Sequence, residues 1–557
     1  MASPFSLVLH THLPMVVNHG RWPHGSDWLN EAAFECYLPL LETIHRLVAD
    51  GISPKWTFNI SPVLAEQLAS PEFQKELAFY YDNVRRACVE SREHFGREGG
   101  KEYVRLTHFW EDFYERMWEL HRRIGGDIVG TFADLQRAGH VEILTCAATH
   151  GYLPLLSRDE SIHLQLRTAV ETHKKHFGQA PRGIWLPECA YRPRYEWTAP
   201  TGRESGRERR LRPGIEELLA TYKLEYFVAD YHLLSAGAPV FAYRDYFPLG
   251  PEMTGAPAMK PSGATPRSPY ATYRVASRGG TGDAIAFFRD PKTTLQVWSR
   301  DHGYPGEFHY LEFHKKHFPG GLRFWRITDA SNDLGSKQVY DPEVAKEKIH
   351  LQARHFVELV QATIAEGARG GDSIVCSPYD AELFGHWWFE GPQFIDYLFR
   401  KIHWDQDVIE PLTPYEYLER QPRNQVAQPS FSSWGYKGYA EYWLEGSNDW
   451  IYRHLDHAAR TMIELATVHK QSNGAVQRTL NQAARELLLA QASDWAFIMK
   501  TGTTVPYAVR RTKEHLQRFD TLTRMVRESR IDAAAVSDLE QRDNLLPAID
   551  FRVWARR

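Results

Sequence analysis

Two acidic residues stand where the chain changes character. In Gly183-Ile184-Trp185-Leu186-Pro187-Glu188-Cys189, residues Ile184, Trp185 and Leu186 read as a short buried strand, Pro187 stops its ladder, and Glu188 is the first ionisable group after that stop. Far downstream, Ser373-Ile374-Val375-Cys376-Ser377-Pro378-Tyr379-Asp380 repeats the grammar: small and apolar residues, a proline, then an acid. A lone acid after a strand would do no more than cap the following helix. Two of them at the exits of two strands, both among aromatics, are the minimal machinery for cleaving a glycosidic bond.

Other residues with chemistry stand at similar exits. His10 and His12 follow an apolar run at residues 5–9, and residues two apart in extended chain share a face. Thr149-His150-Gly151-Tyr152 closes a third apolar run, and Asp230 with His232 and Arg289 with Asp290 close two more. Histidine pairs of this kind could bind a divalent metal or hydrogen-bond sugar hydroxyls equally well. No third ligand recurs at metal spacing, so no metal is expected.

The elements that position these residues follow from periodicity. Seven strands are expected near residues 5–9, 55–60, 141–145, 184–186, 225–229, 284–288 and 373–377, nearly all separated by helical segments such as 27–48, 159–177 and 341–368. That alternation argues for parallel strands with helical crossovers. An open doubly wound sheet would satisfy it, but polar or aromatic exits on every strand favour a closed α/β barrel with its site at the carboxyl ends. Residues 64–138 are helix-like throughout and too long for one crossover, so they read as a helical insertion. The arginine-rich stretch 192–212 reads as a solvated loop. Residues 235–283, rich in Gly, Pro, Ser and Ala, read as a long lid-like loop. From about 400 the strand grammar stops, and helices near 447–469, 475–498 and 504–529 predict an α-helical domain over 401–557, packed on a barrel domain over 1–400.

Composition narrows the function classes. The 557 residues carry a net charge of -4, which gives no broad basic field and disfavours nucleic acid as a partner. No stretch approaches the roughly twenty apolar residues of a membrane span, and the first residues lack the pattern of a secretory leader. Five scattered cysteines without a CxxC pair point to reduced thiols and a cytoplasmic setting. With 17 Trp and 27 Tyr, the chain is rich in flat faces with a polar handle, which suit sugar rings.

The motifs His10-x-His12-x-Pro14, Ala148-Thr149-His150-Gly151-Tyr152, Trp185-Leu186-Pro187-Glu188-Cys189 and Pro378-Tyr379-Asp380-Ala381-Glu382-Leu383-Phe384-Gly385-His386-Trp387-Trp388 occur in that order. Carrying them, the chain resembles glycoside hydrolase family 57 over nearly its whole length. Arg21-Trp22-Pro23-x-Gly25, Ser432-Ser433-Trp434-Gly435 and Gln491-Ala492-Ser493-Asp494-Trp495 make it most similar, within that family, to the 1,4-α-glucan branching enzymes.

The resemblance implies a (β/α)7 barrel with a helical insertion and a helical C-terminal domain that contributes to the active site. It implies a retaining mechanism on α-1,4-glucan, with Glu188 as nucleophile and Asp380 as general acid/base. His10, His12, Trp22, His150, Trp298, Trp434, Trp443 and Asp494 match substrate-contacting positions, and no cofactor is implied. The family's branching members use a loop tyrosine, for which Tyr243, Tyr246, Tyr270 and Tyr273 all remain open. An α-amylase or a 4-α-glucanotransferase of the same family is the nearest alternative. A metal-dependent polysaccharide deacetylase and a glycan-binding protein without catalysis are the more distant ones.

Overall fold

The structure is a computed structural model that describes residues 2–555 apart from 23, 199–208, 235–266, 278, 280, 281, 300, 301, 330, 332, 368–371, 432, 436, 437 and 439. Seven parallel strands make its centre: β1 (Ser3–Thr11), β2 (Trp56–Ile60), β3 (Val141–Leu144), β4 (Gly183–Ile184), β5 (Tyr226–Ala229), β6 (Asp283–Phe288) and β7 (Val375–Asp380). β1 pairs with β2 and β7, β2 with β3, β4 with β5, and β5 with β6. Single bridges close the two remaining seams, Thr145 to Ile184 and Arg289 to Cys376. Each of these seven strands therefore has a neighbour on both sides, in the ring order of a (β/α)7 barrel. All nine residues of β1 are buried, as expected for a parallel strand covered on both faces.

Register fixes which side chains meet at the barrel mouth. His10 on β1 lies opposite Asn59 on β2 and Asp380 on β7. β4 is shorter than its apolar run: Trp185 adds one bond to the carbonyl of Thr145, and Pro187 then starts a tight turn, Pro187–Cys189.

Helices fill the crossovers. Asp159–Phe177 forms as its periodicity predicts. Between β1 and β2 one helical rod runs as Ser26–Ala32, a π-turn Ala33–Tyr37, and Leu38–Ala49. Between β2 and β3 the helix-like run resolves into Pro62–Leu68, Pro71–Arg97, Lys101–Arg123 and Ile128–Arg137. The two long members of that group pack together through Tyr81 and Trp118, whose rings lie parallel at 4.7 Å.

Three expectations need correction. The described parts of the stretch 192–212, which exclude 199–208, are not a solvated loop: Tyr195–Thr198 and Arg209–Arg212 pair antiparallel, and Arg192 and Arg212 are fully buried against Asp159. One carboxylate at the start of a helix, facing two guanidinium groups, is what charge counting along the chain could not reveal. The barrel does not end at 400, because Ile409–Pro411 pairs with β1 and Gln425–Ala427 joins the sheet through Tyr273–Ala276. The helix expected over 475–498 is two helices, Gly474–Ala490 and Ser493–Thr501, separated where Ala492 bridges to Gly151. Trp450–Val468, Val505–Arg527 and Ala533–Arg542 complete the helical region. It is tied to the loop after β1 by Arg511 on the carbonyl of Met15 (2.7 Å) and by His19 on Asp543 (2.7 Å). Among the described residues no helix is long and apolar enough to cross a membrane.

Candidate functional site

Glu188 leaves β4 with φ 62° and is followed by Cys189 at φ 49°, while His150 at the exit of β3 has φ 58°. Left-handed backbone costs a residue other than glycine about 1–3 kcal/mol and persists only where surrounding contacts enforce it. For Glu188 those contacts are visible. Its Oε2 accepts from Trp434 Nε1 at 2.9 Å, its Oε1 from Ser493 Oγ at 2.8 Å, and its carbonyl from the N–H of Trp434 at 2.9 Å. Burial dominates its ionisation and pushes the carboxyl up to about 7, while the bonds from Trp434 and Ser493 pull the other way and favour the anion.

A chain of polar contacts reaches the same carboxylate from the barrel wall. Asn59 Nδ2 donates to the carbonyls of Leu144 and Thr145, which leaves Oδ1 facing His10 Nδ1 at 2.6 Å. His10 Nε2 lies 3.0 Å from His150 Nε2, and His150 Nδ1 lies 2.8 Å from Ser493 Oγ. Burial holds both imidazoles well below their usual range, so both are neutral near pH 7. The Asn59 orientation then assigns the tautomers: His10 carries its hydrogen on Nδ1, His150 donates from Nε2, and His150 Nδ1 is bare. The single hydroxyl hydrogen of Ser493 thus faces two acceptors, His150 and Glu188.

His12 is oriented separately, with Nδ1 on Ser61 Oγ (2.8 Å) and Nε2 on the carboxylate of Asp494 (3.1 Å). Its ring stacks on His150 at 3.9 Å with 12° between the planes. His12, His150 and Asp494 bring possible metal-donor atoms within 4.8 Å of one another. A nitrogen lone pair lies in its ring plane, however, and two nearly parallel planes 3.9 Å apart offer no common point for an ion. The ring nitrogens of both histidines are instead paired within the protein, with Ser61, Asp494, Ser493 and His10.

Asp380, at the end of β7, is held well above the usual carboxylate range by burial first, then by Glu382 and Glu188, with Arg289 acting in the opposite sense. Glu382 accepts from Tyr37 OH (2.7 Å) and from the N–H of His12 (3.1 Å), and burial pushes it up to about 7. Arg289 is itself anchored by Asp230 at 3.2 Å, whose other oxygen meets His232. The site therefore joins a carboxylate held by donors to a carboxyl biased toward its protonated form, the complementary pair that retaining glycoside chemistry needs.

The aromatic residues divide. Trp185 stacks on His10 at 4.8 Å, Trp434 meets Trp185 at 5.1 Å, and Trp298 stands 6.3 Å from Trp434. Trp443 is 2 % exposed and packs on Tyr152 and Phe497, so it meets a ligand at most by an edge. The indole N–H groups of Trp298 and Trp443 are buried without an acceptor among the described residues. Trp22 is 72 % exposed on a loop fastened by the bidentate pair of Arg21 with Glu76, outside the cluster around Glu188. Tyr270 donates to Asp290 and Tyr273 to the carbonyl of Ser268, so both hydroxyls are engaged in the fold; Tyr243 and Tyr246 lie outside the described residues.

Sequence reasoning missed Asn59, Ser493, Tyr37 and Glu382 as members of the site, and placed Arg289 at a strand exit without a role. A polar Asn59 inside an apolar strand and an acid two residues after Asp380 were usable signals. Tyr37, within an ordinary helical period, gave none.

The chain matches the glycosyl hydrolase family 57 model over residues 6–430 and the C-terminal model of 1,4-alpha-glucan branching enzymes over residues 454–554. It is 36 % identical over 552 residues to a 1,4-alpha-glucan branching enzyme of Thermococcus kodakarensis, covering 98 % of this chain and 77 % of that one. A crystal structure of a branching enzyme of that family from the same archaeon, in complex with glucose and additives, superposes with a TM-score of 0.87 at 34 % identity. It covers 100 % of this chain and 97 % of the other. An alpha-amylase from Thermotoga maritima superposes with a TM-score of 0.80 at 31 % identity across the whole of both chains.

Proposed function

Since the chain belongs to glycosyl hydrolase family 57, we propose that it is a 1,4-α-glucan branching enzyme, which cleaves α-1,4 linkages and rejoins the freed chain to a glucan 6-hydroxyl. The observation that carries the chemistry is the left-handed, half-buried Glu188, held by Trp434 and Ser493 beside a protonation-biased Asp380.

Glu188 as carboxylate attacks the anomeric carbon while Asp380 gives its proton to the departing 4-oxygen, leaving a glycosyl ester on Glu188. Loss of the negative charge on Glu188 lowers the proton affinity of Asp380, which as carboxylate takes the proton of the incoming 6-hydroxyl. The new bond to C1 forms as the ester breaks, and both residues return to their starting states. Ser493 donates to Glu188 while that carboxylate is free and turns to bare His150 Nδ1 when it is esterified. His12 orients Asp494, whose carboxylate offers hydrogen bonds to the sugar at the cleavage point, and His10 and His150, with both ring nitrogens engaged, back the site. Trp298, Trp434 and the edge of Trp443 line it, and Trp22 offers a stacking face farther out.

With water as acceptor the same steps make an α-amylase, a reading favoured by the full-length likeness to the Thermotoga enzyme. Incubation with amylose separates the outcomes when α-1,6 linkages are counted by proton NMR beside reducing ends. New α-1,6 linkages with few reducing ends support branching, and reducing ends alone support hydrolysis. Redistributed chain lengths without α-1,6 linkages support 4-α-glucanotransfer. All five cysteines are free thiols, which fits a reducing, cytoplasmic setting.

A further inference from the structure

The π-turn Ala33–Tyr37 has no partner role in the chemistry above, yet it touches the segment after Asp380 with three consecutive side chains. Tyr37 OH donates to Glu382 Oε1 at 2.7 Å, Cys36 Sγ lies 3.1 Å from the carbonyl of Ala381, and Glu35 Oε2 lies 3.0 Å from His386 Nδ1. Three consecutive residues of a helical turn fan over about half of its circumference, so the segment 381–386 wraps around the turn. The contact is close on the backbone side too: a Cβ on Gly385 (φ 118°) would sit 1.8 Å from the carbonyl oxygen of Glu35. Glu35 is fixed in turn by Arg323 at 2.7 Å and faces Tyr114 OH on helix Lys101–Arg123. π-turns interrupting α-helices recur at functional sites, where they redirect side chains.

We infer that this π-turn is the positioning device of the general acid/base, with Tyr37 and Glu35 holding the wrapped segment and thereby the carboxyl of Asp380. It rests on Asp380 having the role proposed above. Asp380 faces Glu382 on its own segment, Glu188 from the exit of β4 and Arg289 from β6. Glu382 faces Tyr37 and His12, so Tyr37→Phe removes one of two donors from the carboxylate nearest Asp380 in sequence while keeping the buried ring.

The test compares two donors. Amylose needs a proton on its leaving oxygen. An α-maltosyl fluoride with azide as acceptor needs none: fluoride departs from C1 as the ester to Glu188 forms, and azide then displaces Glu188 without losing a proton. Tyr37→Phe is expected to lower kcat/KM on amylose by about tenfold to a hundredfold and to stay within about twofold of wild type on the fluoride with azide. Glu35→Gln, which preserves side-chain shape, is expected to show the same split. Equal losses on both donors, or none on either, would overturn the inference. Asp380→Asn is the reference: if it too loses activity equally on both donors, the acid/base assignment itself fails.

Discussion

Replacing Trp434 by Phe removes the indole N–H from Glu188 Oε2, while the backbone N–H of residue 434 still bonds the carbonyl of Glu188 and an aromatic ring still stands beside Trp185. A hydrogen bond to a charged group contributes about 1.5–3 kcal/mol, and each pKa unit corresponds to about 1.4 kcal/mol. The bond favours the anion, so its loss raises the pKa of Glu188 further above its present value of about 7. Attack requires the anion, and activity is lost as pH falls through that pKa. The acid limb of the rate profile should therefore move upward by about one to two pH units, with roughly a five- to fiftyfold loss at pH 7 that is recovered in alkaline buffer. Initial rates on α-maltosyl fluoride report this limb without any demand on Asp380. Ser493→Ala should move it in the same direction. A profile lowered by one constant factor at every pH, with its acid limb in place, would refute the view that the indole N–H holds the attacking carboxylate.

Glu188→Gln keeps the shape of the site and should reduce turnover by more than about 10³-fold while glucan affinity, measured by affinity electrophoresis, stays within a few fold of wild type. Dialysis against a strong chelator should leave branching activity unchanged, because the imidazole planes of His12 and His150 share no point for an ion; loss restored by zinc would revive the metal reading. Glu142→Gln tests stability. Burial raises that carboxyl from 4.5 to about 7, where it meets Tyr226 OH and the N–H of Tyr415. A carboxyl raised in the folded state costs nothing below pH 4.5 and destabilises progressively as pH rises to 7, by about 3 kcal/mol in total. The gap in unfolding midpoint between Glu142→Gln and wild type should accordingly be small at pH 4.5 and favour the variant at pH 8.

The strands were readable because β-structure leaves a local mark, apolar runs of the right length with a polar residue at the exit; the proline expected to stop the ladder does not do so in β7, which pairs through Pro378 to Asp380. The same rule placed Glu188 and Asp380 at barrel exits. It failed at 192–212, where a run of arginines looks solvated until Asp159 supplies a buried partner. It failed again at the break before Ser493, since no proline or glycine marks it; the helix stops because Ala492 and Ser493 bond to Gly151 and His150 instead.

The amino-acid order alone determined the strand and helix content, the positions of the two acids, and the aromatic supply, because each depends on neighbours a few residues apart. Only the tertiary structure decided what those acids can do. Trp434 and Ser493 reach Glu188 across 246 and 305 residues of chain, and Tyr37 reaches Glu382 across 345. Proton affinity is set by burial and by such partners, and neither is a property of any short stretch.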